Sequence, residues 1–124
     1  MIRILIADDH PIVRQGFKQV LSDTADLLVA DEAGSGQEVL ALVAKKEYDA
    51  ILLDISMPGK SGLEVLKELK AVNPKIPVLI LSIYPEEQYA IRALKADAAG
   101  YLTKASAPEE LISAIRKVSR GGKY

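Results

Sequence analysis

Three aspartates, a serine and a lysine stand where short apolar runs end. Asp8 and Asp9 follow the run that begins at Ile2 and closes at Ala7; Asp54 closes the run from Ala50 to Leu53. Ser82 ends the run from Ile76, and Lys104 follows Gly100 to Thr103. A carboxylate at the mouth of an apolar strand is costly unless an opposite charge lies beside it. Three brought together would repel one another unless a cation joined them. Oxygen donors without cysteine or histidine favour a hard ion, and Mg²⁺ suits a site with few carboxylates and room for water and phosphate. Lys104 and the Ser82 hydroxyl would complete a pocket for an anion bearing several oxygens, which fits a phosphoryl group. Asp54 is then the candidate nucleophile. A carboxylate is already ionised at neutral pH, and it can accept a phosphoryl group while metal and lysine neutralise the developing charge.

Those residues can meet only if the elements between them return the chain to the same edge. The run from Ile2 to Ala7 reads as a strand, and Pro11 opens a helix with Val13, Phe17, Val20 and Leu21 at helical spacing. Leu27 to Ala33 is a second strand; Gly34-Ser35-Gly36 leads into a helix carrying Val39, Leu40 and Val43. The third strand spans Asp49 to Asp54. After the turn at Pro58-Gly59, Ser61 and Glu64 form a capping-box signature before Leu63, Leu66, Leu69 and Val72. A fourth strand runs from Ile76 to Ser82 with Pro77 confined to its start, and Pro85 opens a helix with Ile91 and Leu94. Gly100 to Thr103 is a short fifth strand. The last helix starts between Ser106 and Glu109, buries Leu111, Ile112, Ile115 and Val118, and stops at Gly121-Gly122.

Five strand-helix units with mainly apolar strands predict an α/β protein, a three-layer α/β/α sandwich around a five-stranded parallel sheet. The common doubly wound order 2-1-3-4-5 puts the switch point between the first and third strands, where ligands bind at the strands' carboxyl ends. That edge carries Asp8, Asp9, Asp54, Ser82 and Lys104. Only the second strand contributes nothing obvious to it.

Composition agrees with one domain of 124 residues. Aromatic residues are only 5%, so the core must be aliphatic. No apolar run approaches the roughly 18 residues of a membrane span, and two aspartates cut off the first run too early for a signal peptide. The expected location is cytoplasmic. Having no cysteine excludes disulfides, zinc-thiolate sites and cysteine nucleophiles. A net charge of −1 offers no global attraction to nucleic acid or anionic lipid.

Asp8-Asp9 after the first strand, Asp54 followed by Met57-Pro58-Gly59, Ser82 after the fourth strand and Lys104 after the fifth together resemble the receiver domain of two-component response regulators. The likeness covers essentially the whole chain. It implies a flavodoxin-like fold, to which the order 2-1-3-4-5 also belongs, and phosphoryl transfer from a sensor histidine kinase to Asp54. It implies direct Mg²⁺ ligation by Asp9, Asp54 and the backbone carbonyl of Ser56, with Asp8 acting through water. Ser82 and Lys104 would hold the phosphoryl oxygens, and Tyr101 matches the aromatic that turns inward when Ser82 moves. The wording Asp-Asp-His-Pro, Gly-Tyr-Leu-Thr-Lys and Gly-Gly-Lys-Tyr is similar to the LuxR/NarL-type subgroup, whose receivers precede a helix-turn-helix DNA-binding domain. The expected organisation is a receiver over residues 1–120 and the start of an interdomain linker over 121–124, within a transcription regulator whose DNA-binding domain lies outside this chain. Homodimerisation is compatible with this subgroup; nucleic-acid or membrane contact by the receiver itself is not expected.

Simpler readings stand beside these. Asp8 and Asp9 could cap the first helix, Asp54 could be a turn residue, and Lys104 a solvated charge; their joint placement argues otherwise. Tyr101 could serve packing alone. His10 reads as a loop or cap residue and is left out of the metal set. Gly34-Ser35-Gly36 follows the second strand and has Val39 where a dinucleotide loop needs its third glycine, so it reads as a helix start. Arg116, Lys117, Arg120 and Lys123 read as a solvated face suited to a helix C-terminus. A Mg²⁺-dependent phosphohydrolase with an aspartyl-phosphate intermediate is the alternative function, although Asp8-Asp9-His10 lacks the Asp-x-Asp spacing such enzymes resemble. Two positions depart from the common receiver pattern. Ala105 replaces the proline that often follows the lysine in a cis bond, a geometry costing about 2.5–4 kcal/mol without proline, and Ile83 is bulkier than the usual neighbour of Ser82.

Overall fold

The computed structural model describes residues 1–55, 62–82, 87–103 and 108–124, and of residues 87–89 the backbone alone. Strands and helices alternate: β1 (Ile2–Ala7), α1 (Pro11–Ser22), β2 (Leu27–Ala33), α2 (Gly36–Lys45), β3 (Ala50–Asp54), α3 (Gly62–Val72), β4 (Val78–Ser82), α4 (Glu87–Lys95), β5 (Gly100–Thr103) and α5 (Pro108–Ser119). All strand pairs are parallel, in the order β2-β1-β3-β4-β5. This is the order expected from the sequence.

The continuous apolar strands follow from helices on both faces. Leu5, Ala7, Ile51, Leu53, Val78 and Ile80 point to one side, where Val39, Val65, Leu66, Leu69 and Ala93 from α2, α3 and α4 cover them. Their sequence neighbours Ile4, Ile6, Ala50, Leu52, Leu79 and Leu81 point to the other, against Leu21 of α1 and Leu111, Ala114, Ile115 and Val118 of α5. Residues two apart along a strand share a face, so a strand covered twice leaves a polar side chain room only at its end, where Asp54 and Ser82 stand. Each fully buried Leu or Ile contributes about 1.5–3 kcal/mol relative to exposure.

Two strands begin later than expected. At Asp49 the carboxylate accepts the Arg3 backbone N–H at 2.8 Å, taking the place of a ladder bond, and β3 starts at Ala50. Pro77 has no N–H to donate and serves only as acceptor for Ile51 N–H at 2.9 Å, so β4 starts at Val78. Between β1 and β2 the register slips by one residue, from Ile4 opposite Val29 to Leu5 opposite Asp31, which leaves Ala30 as a bulge.

Helix ends follow local chemistry. Ser35 caps α2, its Oγ accepting Glu38 N–H, while the Glu38 carboxylate accepts Gly34 N–H. That confirms Gly34-Ser35-Gly36 as a helix start. The expected capping box at Ser61 and Glu64 falls partly outside the described residues. Pro108 stands at the first turn of α5. At its other end Gly121 takes φ +89°, donating to Val118 O, and Gly122 donates to Lys117 O, the paired bonds of a Schellman motif. Beyond it the chain folds back: Tyr124 N–H donates to Ala99 O at 2.8 Å, and Lys123 Nζ lies 3.1 Å from Asp97 Oδ1. Asp97 adopts φ +70° between α4 and β5 and also faces Lys70 of α3 at 3.8 Å. Lys117, Arg120 and Lys123 near the C-terminus are exposed, the solvated face expected, while Arg116 grips Asp26 at the surface through two bonds of 2.8 and 3.0 Å. No described helix is long and apolar enough to cross a membrane.

Candidate phosphoryl and metal site

The parallel register carries β1, β3 and β4 to a common edge. Ala7 lies opposite Leu53 and Asp54 opposite Leu81, so Asp8 and Asp54 leave adjacent strands side by side. Oxygens of Asp8, Asp9 and Asp54 and a ring nitrogen of His10 all lie within 4.8 Å of one another. Asp8 and Asp54 are 1% exposed, while the Asp9 carboxylate is a quarter exposed. Two acids are therefore enclosed by the fold and a third opens to solvent.

The aspartates do not cap α1. Its N-cap is His10, which makes no side-chain cap bond. Asp8 Oδ1 instead accepts His10 N–H at 2.9 Å, and His10 Nδ1 stands 3.2 Å from that oxygen and 3.0 Å from Asp9 Oδ1. His10, set aside on sequence grounds, is thus part of the acidic cluster as a neighbour of two carboxylates. Carboxylate oxygens of Asp8, Asp9 and Asp54 thus converge at one place on the carboxyl edge of the sheet. Converging hard oxygen donors of this kind fit Mg²⁺.

Ser82 is fully buried at the end of β4, opposite Thr103 on β5. Tyr101 pairs with Ile80, is partly buried, and packs against the core beneath α2, α3 and α4. Ser56 and Lys104, also expected at the site, lie outside the described residues, as do Ile83 and the Lys104-Ala105 bond.

Two contributors were not anticipated. Gly62 opens α3 directly against the backbone of Asp54 and Ile55, with Gly62 N–H donating to Ile55 O at 3.0 Å. A glycine in a first helical turn sacrifices helix propensity, which is a legible sign of close approach. Arg14, from α1, donates to the backbone carbonyl of Asp8 at 2.8 Å. A groove of about 730 Å³ at the opposite end of the sheet, between Tyr48, Val72 and Ile76, has no such convergence of acids.

Residues 4–116 match the family described as the response regulator receiver domain. The chain belongs to that family. Among curated proteins this receiver is 42% identical over 120 residues to the uncharacterised transcriptional regulatory protein YxjL of Bacillus subtilis, covering 97% of this chain and 55% of that protein. The receiver thus spans little more than half of that relative's length. Among solved structures it is similar to a LuxR-family two-component response regulator from Aurantimonas, with a TM-score of 0.95 and 31% identity over 99% of this chain and 88% of that one. It is also similar to the signal receiver domain of the response regulator NarL from Mycobacterium tuberculosis, with a TM-score of 0.92 and 32% identity over 97% of each chain. The receiver is of the LuxR/NarL type, a regulatory domain of two-component signalling. This family does not favour the phosphohydrolase alternative.

Proposed function

We propose that Asp54 is the phosphoacceptor of this receiver, that the receiver works in the cytoplasm, and that a sensor histidine kinase supplies the phosphoryl group. The observation that carries the reading is the position of Asp54, buried at the carboxyl end of β3 within 4.8 Å of Asp8 and Asp9 oxygens. An Asp54 carboxylate oxygen attacks phosphorus, a new O–P bond forms, and the bond from phosphorus to the donor breaks, leaving the donor with the electron pair. Asp9, Asp54 and the Ser56 carbonyl would hold Mg²⁺ directly and Asp8 through water. When bound, the ion offsets the negative charge gathering on the phosphoryl oxygens.

Ser82 and Lys104 would receive the transferred group. It adds about 1.5 to 2 negative charges, giving both residues a new partner and biasing the region after Ser82 towards a second arrangement in which Tyr101 turns inward. The domain catalyses only its own modification and its reversal. Residues 121–124 would begin the linker to a helix-turn-helix domain, and the pair would act as a transcription regulator, with homodimerisation a further means of reading the phosphate. This receiver would touch neither DNA nor membrane. YxjL, the relative described above, is named a transcriptional regulatory protein, which supports that output.

The test is incubation with Mg²⁺ and acetyl phosphate, followed by intact mass. One added phosphoryl group is expected on the wild type and none on Asp54→Ala. Unchanged labelling of Asp54→Ala would overturn the assignment, and multiple turnover of a phosphate ester would restore the phosphohydrolase reading.

A further inference from the structure

We propose that Arg14 is a positioning residue for the metal-binding acids, acting through the peptide that joins Asp8 to Asp9. This rests on the Mg²⁺ reading above. The Arg14 Nη1 donates to the Asp8 carbonyl oxygen at 2.8 Å. That oxygen belongs to the same planar amide as the Asp9 nitrogen, so holding it fixes the plane from which the Asp9 side chain departs. The other side of Asp8 is held by β2, whose Ala33 carbonyl accepts Asp8 N–H at 3.0 Å. Asp8 is thereby tied at both backbone atoms, and Asp9 inherits its orientation.

Arg14 is itself held. Its Nε is buried 3.7 Å from Glu32 Oε1, and only 23% of its side chain is exposed. Glu32 and Gly34 both flank the end of β2, the strand that seemed to contribute nothing to the site. A Cβ on Gly34 would stand 2.9 Å from Arg14 Nη1. Gly34 therefore leaves the space through which the guanidinium reaches Asp8. Partners outside a metal's immediate ligands commonly change affinity when removed, by about 10- to 100-fold.

The bond can be broken from either side. Arg14→Met removes the donor. Gly34→Ala leaves the charge unchanged and displaces the flexible end of Arg14, with no positive φ at that glycine to oppose a side chain. Mg²⁺ affinity of the unphosphorylated chain, followed by amide chemical shifts in a titration, is the readout, with the urea midpoint measured in parallel. Both variants are expected to bind Mg²⁺ about tenfold more weakly, and combining them should add little because they break one bond. Arg14→Lys should recover part of the loss. Lys18→Met, which removes the other cation at Glu32, should bind within twofold of wild type.

Charge alone predicts the reverse for Arg14→Met, since deleting a cation beside a cation site should tighten binding. Tighter or unchanged Mg²⁺ binding in Arg14→Met and Gly34→Ala, with a wild type that binds, would overturn the positioning role. A wild type that binds no Mg²⁺ would overturn the metal reading itself. Should Arg14→Met fail to fold, Gly34→Ala interrogates the same bond.

Discussion

Gly62 sits against Asp54 so closely that a Cβ at Gly62 would come within 2.7 Å of the Asp54 carbonyl oxygen and 2.5 Å of Ile55 Cα. Both neighbours are backbone, so neither can swing aside. The first turn of α3 therefore braces the peptide that presents the Asp54 side chain. Gly62→Ala should cost about 1–3 kcal/mol, the usual range for overpacking, despite the better helix propensity of alanine. Urea denaturation measures that loss. Slower acetyl phosphate labelling of the folded variant would show that the brace also sets Asp54's position.

Mg²⁺ should stabilise the unphosphorylated chain. A single site at tenfold excess over its Kd adds about 1.4 kcal/mol. Thermal unfolding should show a rise in Tm with Mg²⁺ for wild type and little or none for Asp54→Asn. Equal rises in both proteins would place the ion elsewhere.

The Tyr48 hydroxyl donates to Asp31 Oδ2 at 2.6 Å, and Lys46 Nζ lies 3.2 Å from the same carboxylate. Burial, then the hydrogen bond to Asp31, pushes the Tyr48 phenol well above its ordinary value of 10.0. The Tyr48 bond, opposed by burial and aided by Lys46, holds Asp31 below its ordinary 3.8. The stabilisation linked to Asp31 is present above about pH 4 and lost as pH falls through its lower folded pKa. That linked to Tyr48 is present below about pH 10 and lost as pH rises through its higher folded pKa. Tyr48→Phe should cost about 1 kcal/mol near neutrality and less at both extremes. A cost independent of pH in denaturant titrations would contradict this coupling.

Phosphorylation should alter amide exchange in α4, β5 and α5, because Ser82 and Lys104 border the segments leading into them. Modification with acetyl phosphate followed by exchange mass spectrometry tests this. Unchanged protection across all three elements, with the phosphoryl group confirmed by mass, would exclude that route for the signal.

Much of this arrangement was legible because it is written in periodic or local terms. Runs such as Ile51-Leu52-Leu53 require cover on two faces, which leads to the parallel sheet, and the sheet gathers Asp8, Asp54 and Ser82 at one edge. Arg14 was not legible, since its partner is a backbone carbonyl and no residue type marks that acceptor. His10 stands at the N-cap position, in keeping with its reading as a loop or cap residue, but its contact with Asp9 through the turn before α1 is a geometry that spacing does not encode. The Asp97 contacts with Lys70 and Lys123 depend on where α3 and the chain end meet. Long-range ion pairs leave no period in a sequence.

The Ala30 bulge has a consequence for how copies of this chain meet at high concentration. β2 borders the sheet, and an unprotected border strand offers its free amides and carbonyls to any passing strand. Here the slipped register distorts that border, and Asp31 and Glu32 follow the slip immediately. The opposite border, β5, is only four residues long. A bent, charged strand on one side and a very short one on the other are poor templates for growth. The slip at Ala30 and the shortness of β5 thus discourage sheet-to-sheet aggregation.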